Sequence, residues 1–255
     1  MAGLPHVMDL FRLTGRTALV TGGGRGLGRV IADTLAEAGA TVCITSRSLE
    51  SAVAAAAESQ AATGGRVIGI AGEVTNGDAV SRLAESVRQQ LGHVDILVNN
   101  AGVIRIAPID EMDIADFDLH FTVNVRGAFV ASQEAARHMR SGGRIIMIGS
   151  CTADRMPFVG GSAYAMSKAA IAGMARGIAR DLGGRGITVN TVQPGPTDTS
   201  LNPAAGPNAD VQQQMLAIAR FARADEIAGL VAYLASDQAA FVTGASLTID
   251  GGYNA

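Results

Sequence analysis

Short apolar runs rich in β-branched residues alternate with helix-forming stretches from one end of this 255-residue chain to the other. Strand-like runs fall at Arg16–Thr21, Thr41–Ser46, Arg66–Ala71, Val94–Val98, Arg144–Ile148, Ile187–Val192 and Ser246–Ile249. Between them lie helical stretches at Gly26–Ala38, Leu49–Thr63, about Gly77–Leu91, about Ile114–Met139, Ala163–Leu182 and Asp225–Ala235. Continuous apolar runs without polar alternation are what strands buried on both faces require. Their succession with helices predicts an α/β fold, a doubly wound parallel sheet of about seven strands. No linker or change of composition divides the chain, so residues 1–255 are expected to be one domain. Only the stretch at about 194–220 breaks the rhythm. It has four prolines within Pro194–Met215 and is expected to be a substrate loop.

Composition narrows the class further. Lys and Arg number 20 against 23 Asp and Glu, a net charge of −3 with no long basic run, which argues against nucleic acid as a partner. Two cysteines and four histidines, with no HExxH or paired CxxC, supply neither a disulfide framework nor a metal site. No apolar stretch is long enough to span a bilayer. The opening residues lack the charged start and apolar middle of a signal peptide, so a cytoplasmic location is expected. The unusual number is 32 glycines against 7 prolines.

Many of those glycines stand at strand–helix junctions. After the first strand comes Thr21-Gly22-Gly23-Gly24-Arg25-Gly26-Leu27-Gly28. A glycine-rich turn between a strand and a helix brings backbone N–H groups and the positive helix end to a pyrophosphate. Gly22 would make the tight turn, Gly26 the close backbone approach and Gly28 the helix–strand packing. At the end of the second strand a carboxylate would bind a ribose 2′-hydroxyl, yet Ser46-Arg47 stand there. Arg47, with Arg25 in the turn, suits a 2′-phosphate instead, which favours NADPH over NADH. Two solvated surface arginines are the alternative reading.

Tyr164 and Lys168 are four residues apart on one helix and share a face. An ammonium beside a phenol lowers its pKa, so the pair could give or take a proton at a carbonyl or alcohol oxygen. Ser150 ends the preceding strand, where its hydroxyl could polarise a carbonyl. Asn124 lies within the long helical region and could order a water leading to Lys168. Asn99-Asn100-Ala101-Gly102 follows the fourth strand, beside the adenosine half.

Together, TGGGRGLG, NNAG at Asn99–Gly102, Asn124, Ser150, YAMSK at Tyr164–Lys168, PGPTDT at Pro194–Thr199 and the ending TGASLTIDGG resemble the classical short-chain dehydrogenase/reductase family along almost the whole chain. The resemblance implies a single-domain Rossmann fold and an NADPH-dependent reductase of ketones or aldehydes, reversible as an alcohol dehydrogenase. It implies a tetrad of Asn124, Ser150, Tyr164 and Lys168, with Tyr164 as acid/base. Cofactor contacts would come from Gly22, Gly24, Arg25, Gly26, Leu27, Ser46, Arg47, Glu73, Val74, Asn100, Ala101, Gly102, Tyr164, Lys168, Pro194, Gly195, Thr197 and Thr199. It further implies a homotetramer with the helices at about Ile114–Met139 and Ala163–Leu182 as dimer surfaces.

Two departures stand out. The Ser150–Tyr164 spacing is one residue longer than the family's commonest, which would put Cys151 in the serine's place unless the loop carries an insertion. Glu73-Val74 replaces the usual Asp-Val beside the adenine. The second half is also similar to a bacterial subgroup that includes presumed reductases and a cyclic-di-GMP-binding member. A cyclic-di-GMP-binding protein and a 3-oxoacyl-carrier-protein reductase are therefore alternatives.

Overall fold

The computed structural model describes residues 9–72 and 77–255, without side chains over 77–81. Seven parallel strands form one sheet in the order β3-β2-β1-β4-β5-β6-β7. They are β1 (Thr17–Val20), β2 (Thr41–Ser46), β3 (Val67–Ala71), β4 (Ile96–Asn99), β5 (Arg144–Ile148), β6 (Thr188–Pro194) and β7 (Ser246–Ile249). The order reverses between β1 and β4, which opens a crevice at the carboxyl ends of these two strands. This is the doubly wound Rossmann arrangement expected from the strand–helix alternation.

The helices are α1 (Gly26–Glu37), α2 (Leu49–Thr63), α3 (Gly77–Leu91), α4 (Ile114–His120), α5 (Ala128–His138), α6 (Ser162–Leu182), α7 (Ala209–Gln214) and α8 (Ala224–Ala235). Alternate strand residues feed two cores. Ala18, Val20, Ile44, Val98 and Ile146 pack with α1 and α8, while Leu19, Leu97, Ile145 and Met147 pack with α5 and α6. Both faces are thus buried, which explains why these strands show no polar alternation. No described helix is long and apolar enough to cross a membrane.

Two stretches differ from expectation. The single helix foreseen over about Ile114–Met139 is α4 and α5 joined by a π-helical segment, Phe121–Gly127, which contains Asn124. Helical periodicity does not register the wider turn, because apolar spacing changes by only one residue. The proline-rich stretch is not all loop, since α7 lies within it and Thr197 bridges Ala222.

Candidate active site

The glycine turn sits in the crevice. Gly22 takes φ +64°, as a tight turn requires, and its N–H donates to Thr45 Oγ1 at 3.1 Å. A Cβ on Gly24 would lie 2.1 Å from Ser46 Oγ, so the turn presses on the end of β2. A Cβ on Gly28 would lie 2.3 Å from Asn100 Nδ2, so Gly28 packs on the end of β4. Asn100 Nδ2 donates to Thr21 O at 3.0 Å and Gly22 O at 3.1 Å, which makes it a prop for the turn. Ala101 N donates to Thr21 Oγ1 at 3.1 Å from the same side.

Helix α1 begins here with no side-chain cap and no acidic residue in its first turn. Its first N–H groups are therefore open to an anion, and the helix dipole adds to their pull. Arg25 and Arg47 are exposed, and neither is in an ion pair among the described residues. Leu27 is half-buried against the α1 core. Glu73 and Val74 lie outside the described residues.

Four residues from three parts of the chain, the end of β5, the π segment and α6, converge at the carboxyl ends of β4 and β5. Ser150, 8% exposed, leaves β5 in extended conformation, and its Oγ accepts from Thr152 N at 3.2 Å and Thr152 Oγ1 at 2.8 Å. Tyr164 stands on the first turn of α6, with Ser150 close enough to act on its hydroxyl. Lys168, one turn on and 5% exposed, donates from Nζ to Ile148 O at 2.9 Å and lies 5.8 Å from the Tyr164 ring centroid. Asn124 Nδ2 donates to Val103 O and Ser167 Oγ, both at 3.0 Å, while its Oδ1 accepts from Val103 N at 2.8 Å. A Cβ on Gly102 would lie 3.4 Å from Asn124 Oδ1 and 3.5 Å from Lys168 Nζ, so the glycine leaves the space between them open.

The electrostatics of the pair differ from the expectation. Burial pushes the Tyr164 hydroxyl up to about 12, and the neighbouring Ser150 hydroxyl only partly opposes it. Burial lowers Lys168 to about 8. Lys168 does not lower the phenol here, because its ammonium is directed at the Ile148 carbonyl and desolvation dominates. Near neutral pH, Tyr164 is a protonated donor.

Cys151 points elsewhere. It is buried with Ala209, Leu216, Phe221 and Tyr253, and burial raises its thiol to about 12, well away from thiolate. The backbone carbonyl of Cys151 accepts from Asn254 Nδ2 at 2.8 Å.

Two glycines at the carboxyl ends of β5 and β6 have close protein neighbours. A Cβ on Gly149 would lie 2.0 Å from Gln193 Oε1, and one on Gly195 would lie 2.6 Å from Asp250 Cα. After Pro194, Thr197 Oγ1 donates to Gly195 O at 2.9 Å, and Thr199 Oγ1 accepts from Asn202 N at 3.3 Å. Thr199 Cβ would lie 3.9 Å from a Cβ on Gly26, so this loop reaches the glycine turn. Sequence reasoning missed Gln193, whose Oε1 accepts from Ser150 N at 2.7 Å. Its one signal is a glutamine in an otherwise buried strand.

A family model described as enoyl-(acyl carrier protein) reductase matches residues 22–254. The chain belongs to the short-chain dehydrogenase/reductase family. It is 45% identical over 242 residues to the cyclic-di-GMP-binding biofilm dispersal mediator protein of Escherichia coli, covering 95% of this chain and 98% of the relative. Among solved structures it is similar to a Serratia marcescens short-chain dehydrogenase/reductase, with TM-score 0.92, 50% identity, and 95% of this chain and 99% of the other covered. A Burkholderia cenocepacia short-chain dehydrogenase solved in complex with NADP gives TM-score 0.92 at 49% identity, covering 96% of this chain and all of the other. This protein is an oxidoreductase of that family.

Proposed function

We propose that this protein reduces ketones or aldehydes, and oxidises the corresponding alcohols, with NADP(H). One observation carries the reading: a protonated phenol, Tyr164, stands beside Ser150 with the Lys168 ammonium 5.8 Å from its ring centroid. The uncapped N-terminus of α1 and the close-packed turn at Gly22–Gly28 fit a pyrophosphate. Exposed Arg25 and Arg47 fit a 2′-phosphate. Asn100, Ala101, Gly102 and Pro194–Thr199 would flank the rest of the cofactor, which supplies the hydride when bound.

The polypeptide does the proton and charge work. Ser150 donates a hydrogen bond to the carbonyl oxygen and favours negative charge developing on it. Tyr164 then delivers its proton to that oxygen. Lys168, protonated below about pH 8 and one turn away, would stabilise the resulting phenolate by turning its ammonium from the Ile148 carbonyl towards it. Asn124, fixed by Val103 and Ser167, offers a polar station beside Lys168 for a proton-carrying water. Gly149 and Gln193 hold the Ser150 backbone.

Oxidation of NADPH and of NADH, followed against a ketone panel, tests the reading. Turnover with NADPH is expected, and Tyr164→Phe should lower it by roughly 10²–10⁴-fold. Turnover surviving that substitution removes the mechanism.

The 45% identity to a cyclic-di-GMP-binding protein supports a second reading, nucleotide capture on a reductase scaffold. Calorimetry with cyclic-di-GMP separates the two, and no binding at high micromolar ligand discards the second. An assembly of like subunits, a homotetramer by the family pattern, is supported by an apolar groove of about 320 Å³ lined by Phe121, Thr122, Val125, Arg126, Phe129 and Met174. It runs along the faces proposed as dimer surfaces.

A further inference from the structure

Helix α4 ends on a histidine that the proposed reaction does not use. His120 is 0% exposed, and both of its ring nitrogens have partners. Arg105 N donates to Nε2 at 3.0 Å. A backbone N–H can only donate, so Nε2 is the unprotonated nitrogen of the ring. The proton is then on Nδ1, which donates to Asp116 O at 2.8 Å. The ring lies edge-on to Tyr164, 6.2 Å between centroids at 61°.

The bond to Arg105 sits in the middle of the segment Gly102–Ala107. At one end, Val103 is tied to Asn124 through both its N–H and its carbonyl. At the other, Ala107 N donates to Gly160 O at 3.2 Å, just before α6 carries Tyr164. The segment therefore runs from Asn124 to the start of the helix that carries Tyr164, with Ile106 half-exposed along it. At its centre, the described residues add to the His120 bond only the exposed side chain of Arg105, paired with Asp116 at 3.6 Å and bonded to the neighbouring Ile104 O at 3.0 Å. Without that acceptor, the Arg105 amide would lose its partner, and the exposed ion pair to Asp116 would be a weak tether for the middle of the segment.

We infer that His120, as its Nδ1–H tautomer, is a positioning residue that fixes the Arg105 segment against Tyr164 and thereby shapes the substrate side of the site. It is not a proton carrier, since neither nitrogen is free to meet a substrate. The inference rests on the ketone-reducing reading, so its test has arms that do not depend on turnover.

His120→Phe keeps the ring and removes the acceptor, whereas His120→Gln offers a carboxamide oxygen in place of Nε2. For His120→Phe the ketone KM should rise about tenfold, with kcat changed less than about threefold and NADPH affinity unaltered. Amide exchange over Val103–Ala107 should quicken in the same variant. His120→Gln should restore slow exchange and most of the KM. Wild-type KM and exchange in His120→Phe overturn the inference, as does His120→Gln behaving like His120→Phe. Should His120→Phe fail to fold, ¹⁵N NMR of the wild-type ring decides, because an Nε2–H tautomer is incompatible with the Arg105 bond. If wild-type protein turns over no ketone, the functional reading fails, while exchange and NMR still report on the His120 bond.

Discussion

Ser150 and Cys151 are neighbours in sequence with opposite environments. The hydroxyl faces Tyr164, and the thiol is enclosed by Leu216, Phe221 and Tyr253. Ser150→Ala should therefore reduce kcat by roughly 10²–10³-fold, the usual cost of removing one oxyanion donor. Cys151→Ala should leave the rate within about threefold of wild type and cost only stability. Steady-state kinetics with matched thermal melts check both, and the reverse ranking would assign the role to Cys151.

Lys168 sets a pH dependence. Its lowered value of about 8 means that ammonium is lost as pH rises through that point, while Tyr164 keeps its proton to about 12. The kcat/KM for reduction should fall above about pH 8 from loss of the lysine charge. Lys168→Arg, whose guanidinium stays charged, should move that decline upward. An unmoved decline would assign it to another group. At the cofactor end, Ser46→Asp with Arg47→Leu should shift preference from NADPH towards NADH by about tenfold or more in kcat/KM. Unchanged preference would show that these residues do not read the 2′-phosphate.

At the scale of elements, the carboxyl ends of β5 and β6 form one unit. Gly149 N donates to Val192 O at 2.8 Å, and Gln193 Oε1 takes the next N–H, that of Ser150. Gly149 is glycine because the Gln193 amide occupies the place of its Cβ. Gly149→Ala should displace Gln193, cost about 1–3 kcal/mol of stability, and lower kcat through Ser150. Urea melts and turnover measured together check this, and a neutral effect would show that Gln193 moves aside freely. The π segment Phe121–Gly127 is the other element that tertiary packing decides. Its wider turn places Asn124 between Val103 and Ser167, and residue spacing alone did not reveal it.

At the scale of the molecule, the sheet buries both faces, so the exposed apolar surface falls on helices and loops. The groove beside Phe129 lies on the face expected to meet a second subunit. Phe129→Asp would put a charge in that groove and should dissociate the assembly to smaller species at micromolar concentration, as seen by sedimentation velocity. An unchanged sedimentation profile would place the interface elsewhere.

How much was legible in advance follows from the range of each interaction. The strands and helices were readable because apolar runs and helical spacing are properties of neighbouring residues. Tyr164 and Lys168 could be paired for the same reason, since four residues on a helix share a face whatever the helix packs against. The glycine turn after β1 was equally local. Tertiary structure decided the contacts that join distant segments: Gln193 to Ser150, Asn100 to the glycine turn, and His120 to Arg105 and Tyr164. It also set close protein neighbours against Gly149 and Gly195, and raised the Tyr164 pKa where Lys168 was expected to lower it. Desolvation and close approach depend on strand register and helix docking, which no local pattern encodes.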